Sequence, residues 1–125
     1  MKIYISGGIT GVENFMEKFS KTEELLKEKG YEVINPARIN AELPKSTTYE
    51  EYMRMSFLLL DMADAIYMMN GWEKSKGARM EFWKSYQTEK RIIFSDGDMG
   101  IGLDMDCITK EIIDETCRIR CSIRG

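Results

Sequence analysis

The chain contains no histidine. That removes Ser-His-Asp and Cys-His nucleophile systems and His-based zinc chemistry, so proton work must fall to carboxylates, tyrosines or lysines. One stretch concentrates the remaining chemistry: Asn70-Gly71-Trp72-Glu73-Lys74-Ser75-Lys76-Gly77-Ala78-Arg79-Met80-Glu81. It follows an apolar run, Ala65 to Met69, that reads as a buried strand, and it leads into a helical pattern reaching about Glu89. Ligands of open α/β sheets bind at such strand–loop–helix junctions, and the free amides of a first helical turn attract anions. Glu81 lies four residues after Gly77 and six after Ser75. A helix starting near Ser75 puts Gly77 and Glu81 on one face at its mouth. Gly77 leaves space above that face, and the positive helix end favours ionised Glu81. A fixed, ionised carboxylate suits a nucleophile at a sugar carbon or a stabiliser of an oxocarbenium ion. The bland alternative is a solvated glutamate on an amphipathic helix.

The neighbouring groups carry similar pairs of readings. Ser75 either caps the helix or binds an anion, and the two roles are compatible. Trp72 either stacks on a base or covers its loop. Tyr4, in a first strand spanning Lys2 to Ile5, either reaches Glu81 or packs against a helix. Ser6-Gly7-Gly8-Ile9-Thr10-Gly11 is a glycine turn that lets backbone approach a ligand, or a turn and nothing more. Asp64 either faces the site or ends a helix. Lys74, Lys76 and Arg79 form a solvated face or surround the anion site.

These groups need a scaffold, and the rest of the chain supplies one. At 125 residues, with 43% hydrophobic and 31% charged residues, it reads as a single domain able to bury its own core. A net charge of −3 argues against a broad nucleic-acid surface, though a small anion can still bind locally. No apolar run approaches the length of a membrane span, and the amino terminus is too short for a signal peptide. The three cysteines, Cys107, Cys117 and Cys121, are odd in number and suit a reducing cytosol, so a cytoplasmic location is expected. No metal or redox cofactor is expected.

In chain order, a helix is predicted from Val12 to Lys29, with Phe15, Phe19, Thr22 and Leu26 on one stripe and Gly30 ending it. Tyr31 to Ile34 is a second strand, stopped by Asn35-Pro36. Ala37 to Thr47 reads as a long mobile loop. Thr48-x-x-Glu51 is a capping box opening a helix to about Met62 that is buried around much of its circumference. Ala65 onward gives a third strand, the junction and its helix follow, and Arg91 to Phe94 is a fourth. Ser95 to Gly100 is a turn-rich break, and Ile108, Ile112, Ile113 and Cys117 mark a last amphipathic helix. The alternation predicts an α/β three-layer fold, flavodoxin- or Rossmann-like. Its parallel sheet has four or five strands, with strand 1 central.

The segments Met1 to Gly11, Val33-Ile34-Asn35-Pro36-Ala37, Asp64 to Tyr67 and Gly71 to Glu81 resemble a family of small bacterial and phage proteins of unknown function. That family looks like a branch of the nucleoside 2-deoxyribosyltransferase superfamily. The resemblance covers residues 1–94 as the core of one domain, leaving 95–125 as a helical extension. It implies cleavage or exchange of the N-glycosidic bond of a nucleoside or nucleoside 5′-monophosphate. Glu81 would be the nucleophile, Tyr4 would orient it, and Ser75 would be the preceding polar group of the motif. Gly77 and Ala78 would receive a 5′-phosphate, with Ser6, Gly7, Gly8, Asp64 and Trp72 around the substrate. Homodimers or larger assemblies are also implied. Two positions depart from the pattern. Ser56 stands eight residues before Asp64, where relatives carry an aspartate that is a candidate acid or base for the leaving base. Gly8 stands where this family usually has proline and the monophosphate hydrolases have serine. Ser56 keeps open a second reading, a nucleotide-binding module without turnover. A third is an interaction protein assembling through the Ile108–Cys121 segment.

Overall fold

A computed structural model of the protein describes residues 1–9 and 11–95 together with the backbone of 101–104. The turn-rich break beyond Ser95, which is itself the last residue of a strand, and the last helix expected from the sequence, with all three cysteines, lie outside the described residues.

Strand β1 (Lys2–Ser6) leads through the glycine turn to helix α1 (Phe15–Glu28) and strand β2 (Glu32–Ile34). Gly30, at φ 91°, ends α1 in a Schellman arrangement: the Tyr31 amide bonds the Leu26 carbonyl and the Gly30 amide bonds the Lys27 carbonyl. The expected long loop is in part a helix, α2 (Pro36–Asn40). Asn35-Pro36, read from the sequence as a stop, is also a start. The Asn35 side chain accepts from the Arg38 amide at 3.2 Å, and Pro36 occupies the first helical position, where its missing N–H is not needed.

Helix α3 (Tyr49–Asp61) begins with the predicted capping box, Thr48 and Glu51 bonding each other's backbone amides at 3.1 and 2.9 Å. It is less enclosed than its apolar content suggests. Only Ser56 and Leu60 are buried, and Leu58 is 62% exposed. The helix covers one flank of the sheet and nothing described packs on its outer side. Strand β3 (Ala65–Met68), a single 3-10 turn (Trp72–Lys74), helix α4 (Lys76–Gln87) and strand β4 (Arg91–Ser95) follow. A further strand, β5 (Ile101–Asp104), pairs antiparallel with β4, in a region where the sequence predicted no strand.

The sheet order is β2-β1-β3-β4-β5, with the first four strands parallel. Strand 1 lies between β2 and β3, so the flavodoxin-like order holds. Alternation along each strand splits the core into two layers. Ile3, Ile5, Ala65 and Tyr67 pack with Phe19 and Leu26 of α1. Tyr4, Ile66 and Met68 pack with Leu60 of α3 and Phe82 of α4.

Candidate active site

The chain reverses its direction of growth between β1 and β3, and at that switch point a crevice opens beyond the carboxyl ends of the strands. The two loops forming it are in close contact. A Cβ built on Gly7 would meet Met69 Sδ at 2.9 Å, and one on Gly8 would lie 3.8 Å from Ser75 Cβ.

Period-two alternation sends Tyr4 and Ser6 to the same face of β1, the face covered by α4. Both hydroxyls meet Glu81 there. Ser6 Oγ donates to Glu81 Oε1 at 2.6 Å, and the Tyr4 hydroxyl donates to Oε2. Glu81 is 6% exposed, and Tyr4 and Ser6 are buried. The predicted contact between Tyr4 and Glu81 is therefore present, with Ser6 as a second donor.

The charge state differs from expectation. Burial pushes the Glu81 carboxyl up to about 7, against the opposing pull of the Ser6 and Tyr4 hydrogen bonds. The helix end does not keep it low because Glu81 sits in the second turn of α4, beyond the reach of the terminal partial charge. Burial, followed by the nearby Glu81 charge, raises the Tyr4 phenol well above its ordinary value. Tyr4 stays a proton donor.

Glu81 opens onto a cavity of about 750 Å³. Phe15 and Phe19 of α1, Ala37 and Asn40 of α2, and Tyr52 and Met53 of α3 supply much of its wall. Lys74 and Lys76 line it at the start of α4, and among its described lining residues Glu81 is the sole carboxylate. Ser75 is the N-cap of α4, its Oγ accepting from the Ala78 amide at 3.2 Å. That occupies the Ala78 N–H and leaves the Ser75 proton available to a ligand. The space above Gly77 is filled: a Cβ there would lie 3.3 Å from Met53 Sδ and 3.7 Å from the Tyr49 hydroxyl. The absent side chain lets α3 approach α4.

Two predicted site residues lie elsewhere. Trp72 is buried in the core, stacked on Phe82 at a centroid distance of 4.9 Å and tilted against Phe94, and it does not line the cavity. Its large apolar ring is better buried than left over a loop. Asp64 stands at the amino end of β3, the opposite edge of the sheet from the site. Its carboxylate accepts from the Lys2 backbone amide at 2.8 Å and fixes the start of the β1–β3 pairing. Conversely, Asn40 and Ser56 are joined at the cavity wall, Asn40 Nδ2 donating to Ser56 Oγ at 3.4 Å. Ser56 was legible as the polar member of the apolar row Tyr52-Ser56-Leu60. Asn40 was hidden by the loop assignment.

These features define an α/β protein with a switch-point cavity and a doubly anchored glutamate. The fold is that of nucleoside 2-deoxyribosyltransferases. The 2-deoxyribosyltransferase of the psychrotolerant bacterium Bacillus psychrosaccharolyticus superposes with a TM-score of 0.65 over 93% of this chain and 82% of that chain, at 18% sequence identity. The chain belongs to the family described as "Domain of unknown function (DUF4406)", whose defining pattern spans residues 1–94. No curated protein matches it.

Proposed function

We propose that the protein cleaves or exchanges the N-glycosidic bond of a nucleoside or nucleoside 5′-monophosphate, with Glu81 as nucleophile. The observation carrying this reading is a single buried carboxylate, gripped at both oxygens by Tyr4 and Ser6, at the wall of a nucleoside-sized cavity. Ionised Glu81 attacks C1′, and the C1′–N bond breaks with its electron pair leaving on the base, which takes a proton from solvent. Water or a second base then attacks C1′ and releases the carboxylate. Tyr4 and Ser6 hold the carboxylate at a fixed angle throughout, so little reorganisation is needed when it attacks. Ser75, Lys74, Lys76 and the Gly77 amide form the end that takes a phosphate or the sugar hydroxyls. The apolar wall from α1 and α2 takes the base. A homodimer or larger assembly is part of this reading, because α3 leaves Leu58 and Met62 exposed one turn apart.

The second reading, nucleotide binding without turnover, is favoured by one observation. With Ser56 in the wall, no second carboxylate among the described residues lines the cavity to protonate the leaving base.

Incubation with ribo- and deoxynucleosides and their 5′-monophosphates, followed by chromatography of free bases, separates the two. Free base from wild type and none from Glu81→Gln establishes the glycosidase. Tight binding that survives Glu81→Gln, with no free base from any substrate at high protein concentration, establishes the binding module. An added second base separates transfer from hydrolysis.

A further inference from the structure

Glu81 is a buried carboxylate in the cavity wall whose two oxygens are both held by uncharged partners, the Tyr4 and Ser6 hydroxyls. Among the described residues it forms no ion pair. A buried carboxylate held this way lacks a countercharge, and a cation brought against it would supply one. The rings of Phe15 and Phe19 from α1 and Tyr52 from α3 line the same cavity. Aromatic rings attract a cation through their faces, most strongly where water is excluded. The lysines of the wall are engaged elsewhere. Lys74 and Lys76 stand at the start of α4, with Lys76 Nζ 5.9 Å from the centre of the Tyr49 ring and the Tyr49 hydroxyl 3.7 Å from the Cβ position of Gly77. The start of α4 therefore suits an anion, whereas Glu81 and the rings suit a cation.

We propose that the cavity takes N-glycosides whose base is cationic at the glycosidic nitrogen, a pyridinium riboside or its 5′-phosphate, in preference to neutral nucleosides. This rests on Glu81 being the nucleophile at C1′. The chemistry points to the same class as the recognition. Breaking the C1′–N bond of a neutral nucleoside leaves an electron pair on the base, which departs as an anion unless a proton reaches it. The hydroxyls nearest the reacting carboxylate, Tyr4 and Ser6, spend their protons on Glu81. A pyridinium needs no proton. Glu81 attacks C1′, the bonding pair returns to the ring nitrogen and cancels its charge, and a neutral pyridine leaves. Water then attacks C1′, gives a proton to solvent and releases the carboxylate. The charge that holds the ligand against Glu81 and the rings disappears in the same step, which loosens the departing base.

The test is calorimetric binding of nicotinamide riboside against dihydronicotinamide riboside, which has the same skeleton and an uncharged ring. The wild type is expected to bind the cation at least roughly tenfold more tightly. Phe15→Leu and Tyr52→Leu, which keep an apolar side chain without a ring, and Glu81→Gln, which removes the negative charge, should each cut that preference about threefold or more. Tyr52→Phe keeps the ring and should keep the preference, which provides a reading if the leucine variants fail to fold. Chromatography of released bases adds the rate. The wild-type kcat/KM for nicotinamide riboside or its 5′-phosphate should exceed that for adenosine, inosine and uridine by roughly a hundredfold, the scale of the proton transfer that neutral bases require. Equal binding of the two nicotinamide ribosides, a higher kcat/KM for the neutral nucleosides, or a preference untouched by Phe15→Leu, Tyr52→Leu and Glu81→Gln alike would each overturn the assignment. Because binding is read apart from product, the two proposals fail separately. Preference for the cation without any free base removes the glycosidase alone, free base from neutral nucleosides without that preference removes the cationic substrate alone, and no binding of any of these compounds removes both.

Discussion

At the scale of single residues, Glu81 is held between two opposed effects. Burial favours its neutral form, and the Tyr4 and Ser6 hydroxyls favour its charge, with burial ahead so that half the molecules carry the charge near pH 7. Attack on C1′ needs the ionised form, so kcat/KM is expected to rise about tenfold per pH unit below 7 and to level above it. Tyr4→Phe removes one donor that holds the carboxyl down. Its rising limb should move to higher pH and its plateau should fall, which a pH–rate profile reads directly. The same shift has a consequence for stability. Glu81 binds its proton more tightly in the folded chain than at the ordinary value of 4.5, so between pH 4.5 and about 7 the folded state holds more protons than the unfolded one. Stability is therefore full below pH 4.5 and falls as pH rises through 7, by on the order of 3 kcal/mol. Glu81→Gln carries no charge to desolvate. It is expected to be more stable than wild type at pH 8 by on the order of 1–3 kcal/mol while losing turnover, with the gap closing at pH 4.5. Urea unfolding at the two pH values checks this, and an equal gap at both would assign the effect to something other than the carboxyl.

At the scale of elements, the wall facing Glu81 depends on α2, a helix of only five residues that could not stand alone. Asn35 starts it and is itself tied to Glu23 of α1, its Nδ2 donating to the carboxylate at 3.1 Å. Glu23, 3% exposed, also pairs with Lys27 at 2.7 Å and Arg38 at 3.0 Å. Those partners outweigh its burial and hold its carboxyl below the usual value. Asn35→Ala removes both the cap and one partner of a buried carboxylate, and is expected to destabilise by about 2–3 kcal/mol. Thr48→Ala removes a cap at an exposed helix start and should cost about 1 kcal/mol. Only Asn35→Ala should also raise KM, because it frees the wall that carries Ala37 and Asn40. Denaturant midpoints and steady-state kinetics on the two variants separate these effects. The pair also shows what the sequence conveys at this scale. Thr48-x-x-Glu51 is a local signal and specified its helix start from four residues. Asn35-Pro36 is equally local but ambiguous, since the same dipeptide ends a strand and caps a helix, and the choice is made by Glu23, twelve residues away. Trp72 was misplaced for a related reason. Its neighbours in sequence are loop residues, whereas its neighbours in space, Phe82 and Phe94, come from the next helix and strand.

At the scale of the molecule, the site exists because two loops meet at the switch point. Alternation, caps and glycine turns were enough to predict the parallel order, whereas the meeting of Tyr4 with Glu81 was one of two readings the residues left open and was singled out by the family resemblance. Asp64 shows the limit of that reading, because proximity to a motif in sequence does not say at which edge of the sheet a residue lies. The contact between the loops is steric as well as topological. Gly7, after β1, faces Met69, after β3, so closely that a methyl group at residue 7 would come within 2.9 Å of Met69 Sδ and 3.1 Å of its Cβ. The second distance matters more, because Met69 Cβ is fixed to backbone that is itself held to β1 by the Met69 amide bonding the Ser6 carbonyl at 2.8 Å. Relief by side-chain rotation is therefore partial, and the loops must part. Gly7→Ala is expected to destabilise by about 1–3 kcal/mol, as overpacking does. It should also disturb the Ser6 hydroxyl beside it, so that kcat falls and the rising limb of the pH–rate profile moves up with the loss of a donor to Glu81. Gly8→Ala is the matched control. There a Cβ meets Val12 Cγ2 at 3.1 Å and makes only an ordinary contact with Ser75 Cβ at 3.8 Å, and neither atom belongs to the backbone pairing of Ser6 with Met69. A Gly7→Ala protein with an unshifted pH profile would show that Ser6 keeps its grip on Glu81 without the close approach of the two loops.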